Sequence, residues 1–207
     1  LASIFQAPIT GIIFAIEVFM IDISMASLIP IIVSSFVAIL TSYHFLGRAF
    51  EYTITTSTAF MPSNSIFYIG LGLFVGLMSA YFMYVYFKVD KKFKKVKSPW
   101  IRFGIGVSGL GILIFIFPAL YGEGYEAINA ALNNDQSILF ENSIFESFQN
   151  NIWIILVLML VIILLKAFAT SFTFAAGGVG GTFAPALFIG AFSGMFFATL
   201  INTLGLG

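Results

Sequence analysis

The chain has 207 residues, 60% hydrophobic and only 9% charged, with a mean hydropathy of +1.06, against roughly 45–50% apolar residues in soluble domains. This is the composition of an integral membrane protein. Nine Lys and Arg balance nine Asp and Glu, so there is no basic footprint for nucleic acid; without cysteine there are no disulfides or thiolate metal sites, and His44 alone cannot build a histidine metal centre.

Residues 8–20 are apolar but too short to span a bilayer, which takes about 20 residues; they predict a re-entrant or half-length helix. Ser24–His44 predicts a full span with Pro30 near its start, and His44 beside Tyr43 an interfacial outer end. Residues 45–66 read as a polar loop and Ile66–Phe87 as a second span. Lys88 to Lys97 then holds six lysines (88, 91, 92, 94, 95 and 97) and Asp90. Trp100–Leu120 predicts a third span with glycines at 104, 106, 109 and 111, small residues of the kind that let helices approach closely in lipid. Residues 121–150 carry Glu123, Glu126, Asp135, Glu141 and Glu146 and no Lys or Arg, with a short helix over Tyr125–Leu132. Ile152–Phe174, carrying Lys166, is the fourth span and Ala184–Leu204 the fifth. The expected fold is all-α and polytopic. The positive-inside rule puts the Lys88–Lys97 loop in the cytoplasm, with loops 45–66 and 121–150 outside and Asp22 inside.

Residues 177–185, Gly-Gly-Val-Gly-Gly-Thr-Phe-Ala-Pro, break what would otherwise be one long apolar helix. At membrane depth a broken helix is tolerated only when buried in protein or lining a watery path. One reading is a glycine-rich turn. The other is an anion cradle: a restarting helix directs amide N–H groups and its positive dipole end at the break. Thr182 and Phe183 would supply those amides, the Phe183 ring would exclude water, and Gly180 and Gly181 would let the backbone approach an ion. Partial charges bind weakly enough to let an ion leave.

The string Ala7-Pro8-Ile9-Thr10-Gly11-Ile12-Ile13-Phe14-Ala15-Ile16-Glu17 places Pro8 in a first helical turn and ends on Glu17, followed by Val18. Glu17 is either a carboxylate at the membrane boundary or one near an ion or proton path. The lysine cluster is either a topology signal or a patch for anionic lipid. Lys166 either snorkels or pairs near a helix end, or contributes to an anion's electrostatic path. Glu123 and Glu126 belong on the external rim. The acids are scattered and His44 has no evident partner, so no enzyme and no cofactor is expected. Interrupted short segments near both ends, Pro8–Gly11 and Gly177–Pro185, are the kind of pointer that marks a transport site between repeats.

Three motifs together carry a resemblance: AP-x-x-G-x-x-F-x-x-E at Ala7–Glu17, Pro118 followed by Gly122-Glu123-Gly124-Tyr125, and G-x-F-x-P at Gly181–Pro185. In this order and spacing the chain resembles the CLC family of chloride channels and chloride/proton antiporters over essentially its whole length. The resemblance implies an inverted-repeat fold, with about 1–120 the end of the first repeat and about 121–207 the start of the second. It implies a central anion, chloride or similar, on the amides of Thr182 and Phe183 in a loop shaped by Gly181 and Pro185. It also implies a homodimer through the helices near 8–44, in a bacterial inner or plasma membrane. The family's serine loop and gating-glutamate loop should lie upstream and its pore tyrosine downstream, so the chain is expected to be a middle piece of a longer protein. Well-studied antiporters of the family carry a second glutamate after the motif's first; here that position is Val18, which shifts the expectation toward a channel, with proton-coupled antiport the alternative.

Overall fold

A computed structural model describes residues 2–19, 24–47, 62–141 and 143–206. Asp22 and residues 48–61 of the first polar loop lie outside the described residues. Within them the chain is all-helical, with α1 at Pro8–Phe19, α2 at Met25–Leu46, α3 at Ser65–Phe93, α4 at Pro99–Ile116, α5 at Tyr125–Leu132, α6 at Ile152–Ala175 and α7 at Phe183–Thr203. Short 3-10 turns lie at Pro62–Asn64, Pro118–Leu120, Ser137–Leu139 and Glu146–Phe148. Among the described residues, α2, α3, α4, α6 and α7 each contain a stretch long and apolar enough to cross a membrane, whereas α1 is a shorter apolar helix. The protein is an integral, multi-pass membrane protein.

Several of the expected boundaries shift, most by one or two residues. The third span ends at Ile116 rather than Leu120, because Pro118 cannot continue the helix and opens a 3-10 turn instead. The second span runs on to Phe93, so Lys88, Lys91 and Lys92 lie on a helix and not in a loop. α7 begins at Phe183, one residue earlier than expected.

The chain divides into two compact units, Leu1–Thr53 and Ile54–Gly207. In the first, α1 packs against α2. Pro8 takes the first helical position of α1, where its missing N–H costs nothing. Gly11 lets α1 approach the preceding turn: a Cβ there would lie 2.9 Å from the Ala2 Cβ. The Tyr43 hydroxyl donates to Gln6 Oε1 at 3.1 Å. Ser24 caps α2 by accepting from the Ser27 amide, and Ser27 reciprocates by accepting from the Ser24 amide, a capping box that satisfies two N–H groups at once.

The second unit is organised around α6, its most apolar and most buried span, which packs against α3, α4 and α7. Phe82, Val85, Val89 and Phe93 form the buried face of α3, and the Tyr81 hydroxyl donates to the Leu164 carbonyl of α6 at 3.4 Å. Of the α4 glycines, Gly106 and Gly109 mediate close packing. A Cβ on Gly106 would collide with Ala176, and one on Gly109 would lie 3.0 Å from the Phe172 ring. Gly104 and Gly111 face open space.

Candidate functional site

The glycine break divides into halves with different physical reasons. The first half is a helix C-cap. The Gly177 amide donates to the Phe174 carbonyl at 3.0 Å and the Gly178 amide to the Thr173 carbonyl at 2.9 Å, the paired bonds of a Schellman motif. Gly177 holds the left-handed conformation that this motif needs, with φ of 103°. A Cβ on Gly178 would lie 2.7 Å from the Thr173 carbonyl oxygen. For these two glycines the reading as a turn is sufficient.

The second half is different. Val179 forms a fully exposed apex. Gly180 is pressed against the Phe174 ring, 2.8 Å from where its Cβ would be. Gly181 has no such neighbour: a Cβ there would meet nothing within 4 Å. Thr182 is the N-cap of α7, and its side chain makes no capping hydrogen bond. The first helix bond runs from the Ala186 amide to the Thr182 carbonyl at 3.0 Å. The amides of Thr182, Phe183 and Ala184 therefore belong to the first turn, for which a helix supplies no acceptor of its own. Pro185 has no amide hydrogen to add.

This loop borders a cavity of about 500 Å³ in the second unit. Its walls include Gly180, Gly181, Phe183 and Pro185 from the break, Thr170 and Thr173 from α6, Tyr121 to Glu123 from the turn before α5, and Tyr125 at the start of α5. Thr182 is exposed and is not among the lining residues. Glu17 and Val18, on α1 of the other unit, are both exposed.

Lys166 also lines the cavity, and neither snorkelling nor a helix-end pairing describes it. It lies well inside α6 and is 2% exposed. Its ammonium donates to the Leu120 carbonyl at 3.3 Å and the Gly122 carbonyl at 3.1 Å, and lies 4.4 Å from the centroid of the Phe188 ring on α7. Its three donor positions are thus directed at two carbonyls and a π-face, and no carboxylate pairs with it among the described residues. An ammonium removed from water costs several kcal/mol, which two carbonyl dipoles and a π-face offset in part.

The turn that receives Lys166 is built for close approach. Gly122 and Gly124 have φ of 61° and 83°, where side chains with a Cβ are strained. A Cβ on Gly124 would lie 2.6 Å from the Phe188 ring. Phe188 stacks in turn on Phe192, with centroids 4.3 Å apart, and both rings are fully buried. The Pro118–Tyr125 stretch, α6 and α7 therefore meet at one point, Lys166 and Phe188. Sequence reasoning singled out the turn and the lysine separately and passed over Phe188. Its signal was present in Gly124, which makes room for a bulky neighbour, and in the i, i+4 spacing of Phe188 and Phe192.

The family described as Voltage gated chloride channel matches residues 1–207. The chain is 29% identical to the voltage-gated ClC-type chloride channel ClcB of Citrobacter koseri over 97% of its length and 44% of that relative. It is 27% identical to the ClcB of Salmonella typhimurium, over 95% of the chain and 43% of the relative. It is also 27% identical to a putative chloride channel protein, ClcB-like, of Ralstonia nicotianae, over 99% of the chain and 44% of the relative. The chain thus spans less than half the length of these relatives, and no solved structure matches it. Matched from its first residue to its last, the chain belongs to the voltage gated chloride channel family.

Proposed function

We propose that the chain supplies one wall of a path for chloride or a similar small anion, in a channel-type CLC protein. The observation that carries this reading is Gly181. It stands at the head of α7, beside a cavity, and no atom beyond its own chain neighbours lies within 4 Å of where its side chain would begin. Unlike Gly178, it meets no neighbouring element, and an ion approaching the Thr182 and Phe183 amides needs that space. The helix dipole adds a positive partial charge there. The Lys166 ammonium on the cavity wall adds to that positive potential, with the Glu123 carboxylate on the same wall acting against it.

Val18 supports a channel over a proton-coupled antiporter, since valine carries no proton. A homodimer through the first unit is supported by the exposed apolar stripe of α2, where Ile29, Val33, Phe36 and Leu40 each stay at least half exposed. Relatives from bacteria support an inner or plasma membrane, and the lysine-rich end of α3 a cytoplasmic face. The test is reconstitution of the full-length protein in liposomes. A channel dissipates a chloride gradient without moving protons uphill; uphill proton movement driven by chloride contradicts that assignment and establishes antiport.

A further inference from the structure

The exposed face of α3 changes character along its length while keeping one direction. Its lipid-side positions begin with Ile69, Leu73 and Leu77, each about two-thirds exposed. At helical spacing the same stripe continues through Tyr84, which is 60% exposed, to Lys88 and Lys91, with Lys92 alongside. Phe82, Val85, Val89 and Phe93, on the opposite side, are the buried residues. The lysines therefore project along the face that meets hydrocarbon three to six turns earlier, and away from the helix bundle.

Length puts them at the right depth. The 29 residues of α3 extend about 44 Å at 1.5 Å each, well beyond the roughly 30 Å of hydrocarbon in a bilayer. Tyr84 and Phe87, and Trp100 at 82% exposure in the first turn of α4, supply the aromatic residues typical of the interface. The Lys88 ammonium folds back to donate to the Tyr84 hydroxyl at 2.8 Å, close to its own helix at that level. Lys94 is paired with Asp90 at 2.6 Å. No other ion pair among the described residues engages this segment, so five of its six lysines are left with positive charge to be met from outside.

We propose that the end of α3 is a docking surface for anionic phospholipid headgroups, with Lys88, Lys91 and Lys92 meeting the phosphates of lipids whose chains run back along the helix toward Leu77. None of these three lysines lines the cavity at the glycine break, and the assignment is independent of the anion path.

The test uses the full-length protein in vesicles of equal parts phosphatidylcholine and phosphatidylglycerol, with spin-labelled versions of each lipid reporting the motionally restricted fraction. The wild type is expected to prefer phosphatidylglycerol by about fivefold or more, the factor that roughly 1 kcal/mol from a single surface lysine corresponds to. Raising the salt should weaken the preference. Replacing all three lysines (Lys88→Gln, Lys91→Gln, Lys92→Gln) should abolish most of it, while the three Lys→Arg changes retain it. Absence of a preference in the wild type, a preference insensitive to salt, or an unchanged preference in the glutamine variant would each overturn the proposal.

Discussion

Gly124 and Lys166 approach so closely that a Cβ on the glycine would lie 3.5 Å from the lysine ammonium nitrogen. The contact joins a left-handed turn to the middle of the most buried helix. It fixes the distance between the turn before α5 and the helices that carry the glycine break, and so the width of the cavity between them.

Gly124→Ala should therefore be among the most damaging small changes in the chain. It places a Cβ at φ of 83° and 2.6 Å from the Phe188 ring. The left-handed conformation alone costs roughly 1–2 kcal/mol, and the overpacking a further 1–3 kcal/mol or so. Thermal unfolding of the detergent-solubilised protein should show a clear drop in Tm. An unchanged Tm would mean that the turn and α7 are not packed as described.

Lys166→Met keeps most of the side-chain volume but removes the donors. The buried Leu120 carbonyl then loses a partner, at a cost of about 1–3 kcal/mol, and the Gly122 carbonyl loses one at a more exposed position. Lower thermal stability is expected, together with weaker halide binding from the lost positive charge. Wild-type stability in this variant would show that the two carbonyls find other donors.

Phe188→Ala tests the same junction from α7. It empties a fully buried aromatic position stacked on Phe192, with an expected loss of about 3–5 kcal/mol. Denaturant or thermal unfolding reads it directly, and a loss below 1 kcal/mol, small against that figure, would contradict the packing.

Gly181→Ala is the opposite kind of change. A Cβ there meets nothing within 4 Å, so Tm should stay close to wild type. Chloride flux should nonetheless fall, because the methyl group takes the space an ion would use. Gly178→Ala, next to the Thr173 carbonyl oxygen at 2.7 Å, should lower Tm instead. If Gly181→Ala leaves both stability and flux untouched, the open space beside it has no part in the path.

Much of the fold was legible from hydropathy, because span length and apolar runs are set by the bilayer. The short helix at Tyr125–Leu132 was read correctly, since Gly124 and the acidic first turn mark its start. The end of the third span was not, because apolar residues run past Pro118 and only the proline reveals the stop. The α3 helix continued through a lysine run that reads as loop by polarity, although lysine is a good helix former. At the site, sequence located the glycine break but not its division. Whether a glycine serves a cap, a close contact or open space depends on Thr173 and Phe174 above it, and composition does not encode those distances. Lys166 was visible as a costly intramembrane charge; its partners, two backbone carbonyls and an aromatic face, have no sequence signature.

The most direct measurement is halide binding to the full-length protein by calorimetry, comparing wild type with Thr182→Pro and Thr182→Ala. Proline at 182 deletes one amide hydrogen at a backbone φ of −84°, close to the −65° it requires, and alters no charge. Alanine keeps the amide and removes only the hydroxyl. Wild type and Thr182→Ala should bind chloride comparably, while Thr182→Pro, folded by its Tm, should bind at least about tenfold more weakly, a loss of about 1.4 kcal/mol. Equal binding by all three would contradict an anion site on the backbone at the head of α7.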